Sequence, residues 1–389
     1  NWAVKSNNLL AYHKVVDNFY ADELTFNRAS SGTRVNEQGL IETASVLGSE
    51  LIVNGDFATD SDWGKSSWWT IGSNVATMPL TSDYRALIQD NGFTAFGNYK
   101  LKVNIPAITG TIKVVLFNVT TSISTTLSLY NSFGEKELII NIANSGTYKI
   151  LVAREFGFSS SCTIGEISLK EVITSNIPRI DYTNNASGQL LLEPQRTNLI
   201  TQSEDFSDSS WTKTRLSVSA AAAISPDGTT NASKLIEGST NQTRRIYPSN
   251  YLSVVDTNDY TYSIFLKKGE RDSCKFAFDS TGFATGSCYF DLTNGVHTIG
   301  TMDSVEMVDY GNGWYKCSVT EVSDQTIGTS KGVSLYMTET YQGADAYQGD
   351  GASGIYLWGG DFQEGSYPTS LIPTSGTTVT RIKDTSVTT

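Results

Sequence analysis

Short apolar runs of strand length, separated by turns rich in Ser, Thr, Asn and Gly, recur along almost the whole chain. "NYKLKVNI" alternates apolar and polar positions, "GTIKVVLFNV" runs apolar over a similar length, and "GTYKILVARE" follows a Ser-Gly turn. A period of two sends successive side chains to opposite faces, so these stretches predict β-strands. "DYTYSIFLKKG", "SCYFDLTNGVHTIG" and "YGNGWYKCSVTEV" predict more of them. Asn294-Gly295 and Asn312-Gly313 predict tight type I′ hairpins, because both residue types tolerate positive φ. One stretch departs from this texture. In "NNLLAYHKVVDNFYADEL" the residues Leu9, Leu10, His13, Val16 and Phe19 recur at helical spacing, which predicts a short helix within residues 1–23.

The pattern also repeats at longer range. "ELIVNGDFATDSDW" (Glu50–Trp63) and "NLITQSEDFSDSSW" (Asn198–Trp211) share an apolar opening, an acidic turn, a Phe and a Trp. Each is followed by alternating segments and closes on a strand, "CTIGEISLKEV" or "GIYLWGGDFQEG", so the chain reads as a divergent duplication of one β-domain. At 389 residues it is too long for one core. The expected organisation is an N-terminal segment 1–23, a small β connecting unit from 24–48 and 173–197, a first sandwich 49–172 inserted between those pieces, a second sandwich 198–372 and a tail 373–389. The fold class is all-β.

Composition narrows the function classes. A formal net charge of −12 repels phosphate backbones, so nucleic acid is not expected as a partner. No apolar run approaches the roughly 18 residues that cross a bilayer, so no membrane insertion is expected and the chain reads as soluble. It starts at Asn1 with no basic or apolar leader, as a processed chain or a fragment would. Cys162, Cys274, Cys288 and Cys317 form no CxxC pair, which argues against zinc. Cys274 and Cys288 flank a turn and could pair, or stay as buried free thiols.

Outside the inserted segment, "RASSGTRVNEQGLIE", "PRIDYT", "LLLEPQRTNLITQSEDFSDSSWTK", "SPDGTTNASKL", "GNGWYKCSV" and "LWGGDFQEGSYPTSLIPTSGTTVTR" resemble a cassette of tail-associated and other virion surface proteins of bacteriophages, marine ones especially. In that family the first two phrases sit close together; here about 130 residues separate them, in keeping with an insertion. The inserted segment, with "ELIVNGDFATDSDW" and "IGEISLKEV", is similar to carbohydrate-binding-module jelly rolls. The resemblances imply two jelly-roll sandwiches on a virion surface, outside the cell, as a tail fibre, tail tip or head fibre. The implied partners are host-surface polysaccharide, other virion proteins and further copies of the chain, trimers first.

Sugar binding needs an aromatic face for the ring's C–H groups and a rim of hydroxyl, amide and carboxylate groups. Trp63, Trp68 and Trp69 in "DWGKSSWWTIG" are candidates; on a strand Trp68 and Trp69 would face opposite sides, one core and one exposed. Tyr341 and Tyr347, in the Gly-, Gln- and Asp-rich "TETYQGADAYQGDGASG", are expected in an exposed recognition loop. Trp211, Trp314 and Trp358 are expected in cores. The jelly-roll resemblance implies a calcium ion on Asp56 and Glu166, with Asp60 and Asp62 a second option. Glycoside hydrolysis would need two carboxylates facing each other across a cleft, and no pair stands out among the turn acids; His13 and His297 anchor no triad. No catalysis is expected. A structural virion protein and a glycan depolymerase are the two alternatives to adhesion.

Overall fold

The computed structural model describes residues 2–5, 9–12, 23–83, 86–183, 185–250, 252–278, 282–284, 286–324, 328–330 and 332–388. The protein is all-β, and no helix occurs among the described residues. The expected N-terminal helix is corrected at its start. Trp2–Lys5, Leu9–Tyr12 and Glu23–Asn27 are strands of one sheet with Thr385–Thr388, while His13, Val16 and Phe19 lie outside the described residues. Four apolar or aromatic residues in a row, "LLAY", suit a paired strand as well as a helix turn, and pairing with both neighbours decides it. None of the described helices, there being none, could cross a membrane.

The chain folds into two compact units, one of Ser45–Ile173 and one of Asn1–Ala44 with Thr174–Thr389. In the first, an eight-stranded sheet packs on a four-stranded sheet made of Thr70–Gly72, Val75–Thr81, Ala107–Thr109 and Ser160–Ile164. The long strand Gly134–Arg154 organises the larger sheet. Its first half pairs with Phe93–Ile105 and its last seven residues with Ile112–Asn118. Alternation does the sorting: Tyr99, Leu101, Val103 and Ile105 are buried while Lys100, Lys102 and Asn104 face outward. Buried Ala76, Met78, Cys162 and Ile164 from the small sheet close the core against Leu101, Val103, Ile150 and Val152.

In the second unit two six-stranded sheets enclose a core that includes Leu235, Tyr262, Ile264, Phe276, Cys288, Val319 and Phe362. One sheet is buried on both faces. The strands Asp259–Lys268 and Trp314–Val322 turn Tyr262, Ile264, Cys317 and Val319 inward, and Phe265, Trp314 and Lys316 toward the opposite side. That side is covered by chain from both ends of the unit. Ribbons Thr33–Val35/Ile41–Thr43 and Arg179–Asp181/Gln189–Leu191 lie there. Val35, Ile41 and Leu371 pack with Phe265, Trp314 and Trp358. The two ribbons meet: Val35 N–H donates to the Asp181 carboxylate at 2.8 Å and its carbonyl accepts from Tyr182 N–H at 3.1 Å.

Under this cover runs a buried ionic network. Arg28 bonds Asp384 at 3.0 Å; Arg179 bridges Asp384 and Glu193; Arg381 reaches Glu193 at 3.0 Å. All three arginine side chains are at most 1% exposed. Burial pulls Arg28 and Arg381 below the usual arginine range, although their carboxylate partners pull the other way.

The hairpin expectations divide. Asn312 (φ 52°) and Gly313 (φ 78°) form the tight turn, closed by Trp314 N–H to the Gly311 carbonyl at 2.9 Å. At Asn294-Gly295 the loop is wider, because the Asp291 carboxylate gathers the Thr293 and Asn294 amides at 2.8 and 3.0 Å and only Gly295 is left-handed. The four cysteines are free and buried. Cys274 stands opposite Phe290 and Cys288 opposite Phe276, so the two thiols are not cross-strand partners. Burial pushes the Cys162 and Cys288 thiols up to about 12, which keeps them unreactive at neutral pH.

Candidate functional site

The duplicated phrase builds the same small structure twice. In the first unit the Trp63 indole N–H donates to the Asn54 carbonyl at 2.9 Å and its ring leans on Phe57 at 5.3 Å and 44°. In the second the Trp211 indole N–H donates to the Gln202 carbonyl at 2.8 Å, with Phe206 at 4.9 Å and 39°. In both, the carbonyl lies nine residues upstream of the Trp. Phe and Trp clamp the acidic turn from within, so Trp63 belongs to the core, only 4% exposed. Gly55 in that turn admits no side chain, since a Cβ would sit 2.1 Å from the Ile167 carbonyl. The Asn54 side-chain amide donates to the carbonyls of Thr59 and Ser61 at 2.8 Å each, which fixes the rest of the loop.

Trp68 follows on a separate turn. Ser66 is pinned to the strand Ala86–Gln89: its amide and hydroxyl donate to the Ala86 carbonyl at 3.0 and 2.9 Å, and its hydroxyl accepts from Ala86 N–H at 2.7 Å. Trp69 N–H donates back to the Ser66 carbonyl at 3.3 Å, closing a tight turn around Ser67 and Trp68. At its third position Trp68 holds φ 86°, a region that favours glycine and costs a bulky residue about 1–3 kcal/mol. The consequence is that the Trp68 ring is 61% exposed while Trp69, next in sequence, is 4% exposed in the core. The two rings part company through a left-handed residue, not through strand alternation.

Positions near Trp68 in sequence carry hydroxyls and charges. Ser67 and Thr70 are exposed, and the Lys65 ammonium pairs with Asp60, tying the preceding loop to the strand Trp63–Lys65. An exposed indole can stack on an apolar ring face, with the hydroxyls of Ser67 and Thr70 nearby in sequence to bond that ring's polar rim.

The remaining candidates fall elsewhere. Tyr341 is half-buried in a turn closed by Gly343 N–H to the Thr340 carbonyl at 2.8 Å. Tyr347, expected in an exposed loop, is buried: it sits on the short strand Ala346–Gln348, paired with Asn241–Thr243. Its hydroxyl donates to Glu237 at 2.6 Å, and the Arg244 and Arg271 guanidinium groups lie 4.2 and 5.1 Å from its ring. Burial pushes Glu237 up, but Arg271, Tyr347 and the Asp350 amide outweigh it and hold the carboxyl below its usual range. The loop carries few apolar residues because polar ones bury the tyrosine. Trp211, Trp314 and Trp358 are core residues.

Asp56 and Glu166 approach through the backbone, where Ile167 N–H donates to the Gly55 carbonyl at 2.8 Å. Their carboxylates are otherwise engaged. Glu166 pairs with Lys102 at 3.0 Å, and Asp56 accepts Ala58 N–H at 3.4 Å. Among the described residues no third acid, His or Cys joins them. Calcium takes six to eight oxygens, so these two side chains alone do not complete a cage.

A second concave feature was not legible in the sequence. In the unit containing residues 174–389, a cavity of about 270 Å³ opens between the covered sheet and its cover, with Glu306, Tyr310, Lys316 and Glu193 among its walls. Stretches distant in sequence form it: 33–41, 181–193 and 306–316 with Phe265, roofed by 368–371. The one available signal was the lysine in "WYKCSV", on the same strand face as Trp314.

No protein-family model matches the sequence, and no curated protein does. Among solved structures, a mutant of a carbohydrate binding module family 29 aligns with 34% of this chain and 94% of its own, at 10% identity and a TM-score of 0.25. The tandem CBM22-1–CBM22-2 domain of Paenibacillus barcinonensis Xyn10C aligns with 83% of this chain and 98% of its own, at 9% identity and a TM-score of 0.27. Truncated AlyQ, with CBM32 and alginate lyase domains, aligns with 92% and 98%, at 10% identity and a TM-score of 0.22. Likenesses this distant carry no functional conclusion.

Proposed function

We propose that the protein binds glycans without catalysis, through the Trp68 turn of the unit Ser45–Ile173. The observation that carries this is a tryptophan mostly in solvent on a conformation suited to glycine. Strain of that kind persists where the surroundings hold it and points to a use for the side chain. The finer reading, adhesion of a bacteriophage tail or head fibre to host-surface polysaccharide outside the cell, is supported by the phage-type phrases in the sequence. Repeated copies, trimers first, would raise weak contacts at single sites to firm attachment. The test is a glycan array probed with the intact chain and with Trp68→Ala. Binding that Trp68→Ala lowers tenfold or more supports the proposal; binding that is indifferent to it rejects the Trp68 site.

Calcium belongs to this proposal only as an ion that would draw Glu166 away from Lys102. A rise in Tm with added calcium that Glu166→Gln abolishes supports it, and an unchanged Tm removes calcium from the account.

A structural virion role is favoured by one observation: Phe133 and Phe156, in the same unit as Trp68, are 75% and 82% exposed. Isolated apolar side chains are normal on surfaces, but two Phe this bare suit contact with another subunit. Oligomers that Phe156→Ser dissociates, in a protein that binds no glycan, would establish that reading in place of adhesion.

A further inference from the structure

We propose that the cavity walled by Glu306, Tyr310 and Lys316 is a second ligand site, one that takes a single neutral pyranose unit. It lies in a different unit from Trp68 and stands or falls separately from that turn.

Most charged groups on the cavity walls are already paired. Arg34 is paired with Glu42 at 2.8 Å. The two Asp181 oxygens accept the Val35 and Thr183 amides at 2.8 and 3.1 Å. Glu193 is held by Arg179 at 2.5 Å, Arg381 at 3.0 Å and the Ser370 hydroxyl at 2.7 Å. Of the five charged groups on the walls, two are left, beside the neutral Gln189 amide. The Lys316 ammonium is buried and donates to the Thr369 carbonyl at 2.6 Å, which leaves two of its three N–H groups unassigned. The Glu306 carboxylate is exposed and, among the described residues, has no hydrogen bond or ion pair of its own.

The strand register places these two groups diagonally on one sheet face, since Val308 stands opposite Lys316 and Glu306 opposite Ser318. They face the same space without closing on each other. Adjacent hydroxyls of a sugar ring fill such a gap, one accepting from Lys316 and the next donating to Glu306. The free groups sum to no net charge, and an anionic sugar would meet the bare Glu306 carboxylate, so a neutral ring is preferred. Tyr310 and Phe265 meet edge to face at 5.0 Å and, with Val35 and Ile41, give the apolar wall. At about 270 Å³ the space lies just below the roughly 300–1,000 Å³ of sites for drug-sized ligands, which suits one ring and not a chain of them.

The test is ligand-observed NMR and calorimetry on the full chain with methyl glucoside, methyl galactoside, methyl mannoside and glucuronate. The expected result is millimolar binding of at least one neutral glycoside, weakened tenfold or more by Glu306→Gln and by Lys316→Met, and unchanged by Trp68→Ala. Glu306→Gln, at an exposed position, keeps the test valid should Lys316→Met fail to fold. No binding of any neutral glycoside, tighter binding of glucuronate, or binding that survives Glu306→Gln would overturn the proposal. Loss of array binding in Trp68→Ala alongside unchanged glycoside binding would separate the two sites.

Discussion

Trp68 is held in a conformation that its own side chain disfavours, and the cost can be measured. Trp68→Gly removes the strain of a bulky residue at φ 86° but adds the chain entropy of a glycine, about 0.5–1 kcal/mol. The expected outcome is a net gain of roughly 1 kcal/mol and a Tm a few degrees higher, read by calorimetry, together with loss of glycan binding. A lower Tm would mean that the ring packs on its surroundings and is not displayed. A second residue-scale test concerns Asp361. Burial pushes its carboxyl up to about 7 despite Lys316, the Ile372 amide and Arg381. Unfolded, it would release its proton near 3.8. The folded state therefore holds more protons between those values, and this residue's share of stability is full at low pH and is lost as pH rises to about 7. Asp361→Asn should flatten that decline in urea melts at pH 4, 5.5 and 7; a slope identical to the parent's would contradict the assignment.

At the scale of elements, the sheet covered by segments from both ends of its unit depends on its buried arginines. Removing one partner of a buried ion pair strands the other charge and costs about 3–5 kcal/mol. Arg179→Met leaves Asp384 with Arg28 alone and Glu193 with Arg381 alone. The expected outcome is destabilisation of that order in denaturant melts, whereas a change below about 1 kcal/mol would place the network at the surface. Elements also show what the sequence discloses. The repeated order of apolar strand, acidic turn, Phe and Trp was legible because it is a local pattern, but Trp63, expected to meet sugar, packs instead on Phe57 in the core. Tyr347 was misread because its burial comes from Glu237 and Arg244, about a hundred residues away, so a Gly- and Asp-rich stretch looked like loop. "LLAY" was misread because helical and strand periods coincide over so few residues.

At the scale of the molecule, the all-β class and the strand texture follow from alternation alone. The cavity does not, because several stretches far apart in sequence form its walls and none of them carries a motif. What the molecule offers a partner is two distinct chemistries: an indole platform on a strained turn, and a small polar cavity with a partly bonded ammonium at Lys316 and the Glu306 carboxylate. Both suit weak contacts with sugar rings, which copies of the chain would multiply.

The most direct check on this picture is binding of intact bacterial-surface polysaccharide to the immobilised chain, followed by biosensor for the parent and for Trp68→Ala, with reducing ends assayed in the same samples. The account predicts saturable binding by the parent, at least tenfold weaker binding by the variant, and no new reducing ends. Equal binding by both proteins, or chain cleavage during the experiment, would contradict it.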